Sequence, residues 1–390
     1  MTAAPPLRIL FLAPQPFFEV RGTPLAVLAM VRALSALGHR VDLLTYAQGT
    51  DVDVPSVRHR RSLSLPVGRV RAGPSLAKLA LDVPFLAAAA WRMVRVRYDV
   101  VHAVEEAAHL AAPLARVFSL PLVVDMDSSI PEQLRDSGFA RRGPLLWAAE
   151  ALEGHALRHS AAVITVCDSL TRSVRARAPQ ARVFQVEDPP LVRACGLASS
   201  AEAALLRASL GLGAAPVVLY SGNFEPYQGV DLLVDAAARV PEAQFLFMGG
   251  EPAEIAALAA RARASGARCC FAGKRAVAEL RVFLAAADMV VSPRRTGVNT
   301  PFKVYTYLAS GKPLIATRIA THTQLLDDTL AVLTEPSAPG LAAGVRQVLA
   351  DPEEAAARAR RARELIERDY SAARFEDKVR RAYESLAGAP

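Results

Sequence analysis

The sequence is poor in cysteine, in long apolar runs and, over one stretch, in acidic residues. Its four cysteines in 390 residues show no metal-ligand spacing, and the adjacent pair Cys269-Cys270 is poorly placed for a disulfide framework. Residues 7–12 form an apolar run of strand length and lack the cleavage site of a signal peptide. These absences exclude a disulfide-stapled secreted scaffold and predict a compact protein of a reducing, cytoplasmic compartment.

Acidic residues are scarce between residues 54 and 98, where nine basic residues accompany the single acid Asp82. Within this segment lies an apolar stretch, residues 76–91, which Asp82 and Pro84 interrupt and which is too short to span a bilayer. Basic residues beside apolar and aromatic ones, here Phe85 and Trp91, are typical of binding at an anionic membrane surface. The alternative is a partly buried helix with a solvated basic face. We expect no nucleic acid partner, because no base-reading motif accompanies the charge.

The length of 390 residues exceeds that of one typical core and predicts two domains. Apolar runs of strand length alternate with helical segments twice over, which predicts an α/β protein of two doubly wound parallel-sheet (Rossmann-like) domains facing across a cleft. We place the domains at residues 1–190 and 216–370, with a linker at 191–215 and a final helix at 371–390 that crosses back to the first domain. Strands are predicted at residues 7–13, 40–46, 100–104, 121–127, 161–167 and 182–187, and then at 217–221, 244–248, 268–272, 289–292, 314–317 and 330–333.

Residues 299–313 contain one short helix between two strands. Thr300 is a good N-cap, so the free N–H groups of the helix start should open at the carboxyl end of a strand. With Lys303 in the first turn and Arg294 and Arg295 just upstream, this start predicts a phosphate site. The alternative is an ordinary crossover helix with solvated basic residues.

Several runs recur in a fixed order along the chain. In the second half they are YSGN at 220–223, QGVDLL at 228–233, FAG at 271–273, ADMVVSP at 287–293 and YLASGKP at 307–313. In the first half they are GT at 22–23, LGHRV at 37–41, YDVVH at 98–102 and the strand at 121–127. Through these runs the chain resembles a divergent subfamily of the GT-B glycosyltransferases of family 4 (group 1 type). The resemblance implies retaining, metal-independent transfer of a sugar from a nucleotide-sugar bound by the second domain to an acceptor bound by the first.

Four polar anchors of that family are absent. Where the family has an arginine and a lysine that hold the donor diphosphate, this chain has Asn223 and Gln228, and where it has two glutamates, this chain has Val298 and Thr306. The resemblance therefore implies either a non-catalytic copy or a relocated clamp made of the nearby basic residues Arg294, Arg295 and Lys303.

The predicted site residues lie at strand ends and helix starts, where doubly wound sheets bind ligands. Those expected to bind the donor are Gly22, Thr23, Gly222, Asn223, Gln228, Lys274, Arg294, Arg295, Asn299, Thr300 and Lys303. Asp127 stands where the family often has a histidine, and its carboxylate is expected to accept a hydrogen bond from the acceptor hydroxyl; Glu106, or its neighbour Glu105, is expected to act similarly. Each is alternatively a helix cap or loop residue. We expect no metal, since His155 and His159 have no third ligand, and no cofactor besides the nucleotide-sugar substrate.

The sequence thus predicts a glycosyltransferase acting on a lipid, lipid-linked or glycan acceptor, peripheral to the inner face of the cytoplasmic membrane through residues 54–98. The alternatives are an inactive GT-B binding or scaffold protein, or another nucleotide-sugar enzyme of this fold such as an epimerase.

Overall fold

The structure is a computed structural model that describes residues 5–19, 22–66, 76–136, 142–191 and 196–388. Its internal contacts divide the chain into two compact units. The first comprises Met1–Asp188 with Ala373–Pro390, and the second comprises Pro189–Ala372.

The first unit contains a parallel sheet of seven strands in its described residues, in the order β3-β2-β1-β4-β5-β6-β7. The strands are β1 (Arg8–Ala13), β2 (Arg40–Thr45), β3 (Val57–Arg61), β4 (Val100–Val104), β5 (Leu122–Met126), β6 (Ala162–Thr165) and β7 (Val183–Gln185). The helices are α1 (Gly22–Ala36), α2 (Leu76–Arg95), α3 (Glu106–Val117), α4 (Ile130–Asp136), α5 (Pro144–Arg158), α6 (Asp168–Arg177) and, from the end of the chain, α15 (Ala372–Glu384).

Two apolar cores cover the two faces of this sheet, which is why its central strands read as continuous apolar runs. One core includes Phe85 of α2, and the other includes Val31 of α1. Helix α15 packs into the second core through Phe375, Val379 and Tyr383. The end of the chain therefore forms part of the first unit.

The second unit contains a parallel sheet of six strands in its described residues, in the order β10-β9-β8-β11-β12-β13. The strands are β8 (Val217–Ser221), β9 (Gln244–Met248), β10 (Cys269–Gly273), β11 (Met289–Ser292), β12 (Leu314–Thr317) and β13 (Val332–Thr334). The helices are α7 (Ser200–Ser209), α8 (Val230–Ala237), α9 (Pro252–Ser265), α10 (Leu280–Ala286), α11 (Phe302–Ala309), α12 (Ala320–Thr323), α13 (Ala338–Ala350) and α14 (Pro352–Asp369).

Both sheets reverse their strand order at one point, between β1 and β4 in the first unit and between β8 and β11 in the second. The connections on either side of such a point run to opposite faces and leave a crevice outside the carboxyl ends of the strands, where ligands of this fold bind. The predicted fold class, two doubly wound parallel-sheet domains, is confirmed.

Two segments differ from the sequence-based expectation. Strand β3 was not predicted, because its alternation of basic residues, with Arg58 and Arg60 exposed, marks a solvated edge strand rather than an apolar run. The expected linker at 191–215 contains α7, which a capping box at Ser199 starts and which contacts α10. Arg207 of α7 donates to the Ala286 carbonyl at 2.8 Å.

Two helical glycines provide a matched test of the packing. At Gly344 an added Cβ would lie 2.6 Å from Cγ2 of Thr334 and 2.9 Å from Cγ2 of Ile315, both on stiff branched side chains of the sheet. At Gly154 it would lie 3.0 Å from the guanidinium of Arg158, which is exposed and flexible.

We expect Gly344→Ala to lower the free energy of unfolding by about 1–3 kcal/mol through overpacking. Gly154→Ala should raise it by up to about 1 kcal/mol, because alanine forms helix better than glycine. Urea midpoints followed by circular dichroism measure both changes. Shifts of the same sign in the two variants would contradict the close approach of α13 to β12 and β13.

Candidate active site

Lys303 of α11 lies beside the carboxyl end of β8, at the point where the second sheet reverses its order. It is mostly buried, its Nζ is 4.0 Å from the centroid of the Tyr220 ring, and it donates to Oε1 of Gln228 at 3.3 Å. Gly222 makes room for it, because a Cβ at that position would lie 2.7 Å from Nζ. Burial, followed by the charge of Arg294, lowers the pKa of Lys303 well below its usual value.

Arg294 follows β11 and is only 9% exposed. Its guanidinium lies 5.1 Å from the centroid of the Tyr227 ring and donates to the carbonyl of Asn299 at 3.1 Å and to the Asn299 side-chain oxygen at 3.3 Å. Asn299 thereby orients the guanidinium. Burial lowers the pKa of Arg294 as well.

Among the described residues, neither cation has a counter-charge. In the part of the chain that the structure describes, no carboxylate forms an ion pair with Lys303 or Arg294, and the buried Nε of Arg294 has no hydrogen-bond partner there. The first N–H groups of α11 are also free of a side-chain cap, since the N-cap is Pro301. Two buried cations beside an uncapped helix start form a positive pocket, and an anion would remove the cost of their burial.

One predicted member of the basic clamp, Arg295, and the predicted donor-binding residue Lys274 are paired elsewhere. Arg295 forms an ion pair with Asp231 at 2.6 Å, and Lys274 is exposed and pairs with Glu251 at 2.5 Å. Each already has a carboxylate partner, so the structure does not group them with Lys303. Adjacent basic residues point in different directions when the chain between strand and helix is irregular, and sequence spacing cannot show this.

The remaining predicted donor residues of this unit shape the pocket. Helix α11 begins one residue later than expected, at Phe302, so Thr300 is a buried residue before the cap rather than the N-cap itself. Asn223 accepts the Tyr220 hydroxyl through its carbonyl at 2.6 Å, which closes the turn after β8. Thr306, at the place of one missing glutamate, is fully buried and accepts the N–H of Leu191 at 3.1 Å.

Carboxyl groups gather at the strand ends of the first unit. Asp127 is 8% exposed, and burial, followed by the charges of Asp125, Glu105 and Asp188, raises its pKa well above the usual value, while a hydrogen bond from Thr23 opposes this. The shift favours a protonated Asp127, whereas a carboxylate was expected. Asp188, which follows β7, has its pKa raised to about 8 by burial and then by Asp125 and Glu187.

Glu105, rather than Glu106, belongs to this group of acids. Glu106 points to α2 and forms an ion pair with Lys78, both side chains being largely buried. Glu105 instead accepts the Ser128 hydroxyl at 2.6 Å, and burial followed by the charge of Glu106 raises its pKa. Glu105 therefore takes the place of Glu106 as the candidate residue. The reason is that the two side chains leave the start of α3 in different directions.

Gly22 and Thr23 start α1 in the first unit, and Thr23 donates a hydrogen bond to Asp127. His155 and His159 are helical neighbours with ring centroids 4.2 Å apart. Among the described residues, no group of three or more histidine, cysteine or acidic side chains is arranged to hold a metal ion.

Sequence reasoning missed Tyr220 and Asp188. Tyr220 provides the aromatic face under Lys303, and it directly precedes the Ser-Gly pair at the end of β8. Asp188 lies in Glu-Asp-Pro-Pro after a short strand, where a polar pair at a strand end was a usable signal.

Comparisons with known proteins agree with this organisation. The family described as "Glycosyl transferase 4-like domain" matches residues 21–188, and "Glycosyl transferases group 1" matches residues 215–351. Alpha-D-kanosaminyltransferase of Streptomyces kanamyceticus is 26% identical over 286 residues, which are 70% of this chain and 72% of that protein.

Two solved structures share the fold along almost the whole chain. Sucrose-phosphate synthase of Thermosynechococcus elongatus has a TM-score of 0.80 at 20% identity, covering 98% of this chain and 100% of its own. HepE of Anabaena, in complex with UDP-glucose, has a TM-score of 0.76 at 19% identity with the same coverage. With both family matches and this shared architecture, the chain belongs to the group 1 glycosyltransferases of the GT-B fold.

Proposed function

We propose that this glycosyltransferase takes its sugar from a nucleotide-sugar whose diphosphate binds between Lys303, Arg294 and the start of α11. The observation that carries the proposal is that Arg294, which is buried, and Lys303, which is mostly buried, have no carboxylate partner in the described residues. A diphosphate supplies two or more negative charges and oxygens that accept from both side chains and from helix N–H groups. The UDP-glucose complex of the Anabaena protein with the same fold supports this ligand class.

The same pocket would stabilise the leaving group. During transfer the bond between the anomeric carbon and the diphosphate oxygen breaks, and negative charge develops on that oxygen, which Lys303 and Arg294 neutralise. Burial, followed by the charge of Arg294, lowers the pKa of Lys303, and a bound diphosphate would raise it again, so the donor itself completes the charged form. We assign Asp127, held by Thr23, to the acceptor hydroxyl. The new bond forms with retention, as in the family that the sequence resembles.

Helix α2 provides the surface on which we place a lipid or lipid-linked acceptor. One face of α2 lies in the core, whereas the other carries an exposed apolar stripe, defined here as Leu79, Val83, Trp91 and Val94. Trp91 is 57% exposed, and the guanidinium of Arg95 lies 5.6 Å from the centroid of its ring. An exposed apolar stripe with arginines beside it fits the headgroup region of an anionic bilayer at the cytoplasmic face.

Fewer residues of the segment 54–98 are available to a membrane in the structure than the sequence suggested. Phe85, which was expected to enter the headgroups, is fully buried. Lys78 pairs with Glu106 and Arg61 with Asp51, so these charges are partly neutralised. Arg69 and Arg71 lie outside the described residues. The remaining basic residues of the segment are Arg58, Arg60, Arg92, Arg95 and Arg97. Within its described residues the structure contains no helix long and apolar enough to cross a membrane.

One observation favours the alternative of a protein that binds nucleotides without turnover. Thr306 is buried against the backbone of Leu191, so this position offers no free polar group to a ligand. An assay with UDP-glucose distinguishes the two alternatives. Release of UDP supports the transferase, and binding of UDP-glucose without release of UDP supports the scaffold.

The first prediction concerns the diphosphate pocket. Lys303→Met keeps the length of the side chain but removes the charge, so it should weaken UDP binding about 10- to 100-fold while uridine binding changes little. Calorimetric titration with both ligands measures this. Lys274→Met, which removes an exposed and paired lysine, serves as the control. Equal losses of affinity for UDP and for uridine in Lys303→Met would contradict the assignment of Lys303 to the phosphate site.

The second prediction concerns Asp127. Asp127→Asn should lower the turnover of UDP-glucose by about 100-fold or more while UDP affinity stays the same, because a proton can no longer be exchanged at that position. The surface variant Asp168→Asn of the same unit is the control. The anomeric coupling constant of the product, read by NMR, tests retention in the same assay. If the turnover of Asp127→Asn equals that of the control, Asp127 has only a structural role.

The third prediction concerns the apolar stripe of α2. The triple variant Leu79→Ser, Val83→Ser and Trp91→Ser should lose most of its co-sedimentation with phosphatidylglycerol vesicles. Trp147→Ser, which changes another exposed tryptophan of the same unit, should retain it. Binding should also fall as salt rises, because the attraction of the arginines is screened within about 10 Å at 0.1 M salt. Equal binding to phosphatidylcholine vesicles would contradict an anionic membrane partner.

A further inference from the structure

Helix α15, at the end of the chain, reaches the interior of the first sheet through one tyrosine. The hydroxyl of Tyr383 lies 2.8 Å from Nδ1 of His102, and the Nε2 of the same ring lies 3.0 Å from Oδ2 of Asp125. His102 is fully buried on β4, and its ring stacks on Phe11 of β1 with centroids 4.1 Å apart. The three side chains form a continuous hydrogen-bonded line from α15 to the end of β5.

The chemistry of the three groups determines where the protons lie. A carboxylate only accepts, so Asp125 requires a proton on Nε2 of His102. A neutral imidazole with its proton on Nε2 has a lone pair on Nδ1, and the Tyr383 hydroxyl is placed to donate to it. Tyr383 thus selects the tautomer of His102 that holds Asp125.

Asp125 is the centre of the acid group. It is 6% exposed, and its charge contributes to the raised pKa of Asp127, of Glu105 and of Asp188. Asp125 also accepts the backbone N–H of Glu105 through its carbonyl at 2.9 Å.

The charged and titratable groups that face these acids come from several elements. Lys378, also on α15, forms an ion pair with Glu187 next to Asp188. Thr23 of α1 donates to Asp127. Lys78 of α2 is paired with Glu106 and lowers the pKa of Glu105 in part.

We propose that Tyr383 is a positioning residue for sugar transfer: through His102 it holds the Asp125 side chain in place, and Asp125 in turn fixes the acid group to which Asp127 belongs. The proposal rests on the proposed function, in which Asp127 meets the acceptor hydroxyl. Without the Tyr383 hydroxyl, the proton of His102 is free to move to Nδ1. Nε2 would then turn a lone pair toward Asp125, and because two acceptors repel each other, the Asp125 carboxylate would no longer be held by His102.

The test compares Tyr383→Phe with Tyr98→Phe. Tyr98 is a suitable control because its hydroxyl is also buried in the first unit and donates to a carboxylate, that of Asp42, at 2.7 Å. If Tyr383 has only a structural role, both variants should behave in the same way. Each should lose some stability and keep an unchanged pH profile.

For Tyr383→Phe we expect the kcat for release of UDP from UDP-glucose to fall about 10-fold, with an unchanged KM. The limb of the pH–rate profile that reports Asp127 should move to lower pH, because Asp125, whose charge contributes to the raised pKa of Asp127, is no longer held in place. The ¹⁵N shifts of the His102 ring should change from a pure Nε2–H tautomer in the unmodified protein to a mixture in Tyr383→Phe, and should not change in Tyr98→Phe.

Each outcome decides the proposal. An Nδ1–H tautomer in the unmodified protein overturns it, and so does a Tyr383→Phe profile identical to that of Tyr98→Phe. If the unmodified protein releases no UDP, the proposed function fails by itself. The ¹⁵N spectra then still decide whether Tyr383 sets the proton of His102, since they require no turnover.

Discussion

A charge removed from water must be neutralised or must shift its pKa, and both units of this protein concentrate such charges at the carboxyl ends of parallel strands. In the second unit they are the cations Lys303 and Arg294, and in the first they are Asp125, Asp127 and Asp188. Parallel strands all end on one edge, so residues distant in sequence meet there. The two sites thus hold different groups, which in the proposed function are basic residues for a phosphate leaving group and acids for the acceptor hydroxyl.

The fold was readable from the sequence, because its determinants are local. Strands β4, β8, β9, β11 and β12 end where their apolar runs end, and the helices between them follow from periodicity. Strand β3 was not predicted, because basic side chains alternate along it and because its pairing with β2 is a long-range contact. The strand orders, and with them the positions of both switch points, needed the three-dimensional structure.

The site was readable only in part. Lys303 and Arg294 were predicted to act together, and the charge of Arg294 does act on Lys303, whereas Arg295 and Lys274 pair with Asp231 and Glu251. The choice between neighbouring residues depends on side-chain direction at an irregular turn, which sequence spacing does not encode. The line from Tyr383 to Asp125 spans 281 residues at its first hydrogen bond, so no local pattern could have found it. In the sequence, Tyr383 looks like an ordinary core residue of the last helix.

Helix α15 has a consequence for biosynthesis. Its apolar side chains complete the core that α1 begins, although the whole second unit is translated between them. At about 5–20 residues per second, translation of that unit leaves this core without the side chains of α15 for roughly ten to forty seconds. The first unit is therefore the first to be started and the last to be completed. During that interval the apolar side chains that α15 covers in the finished protein stay exposed on the nascent chain.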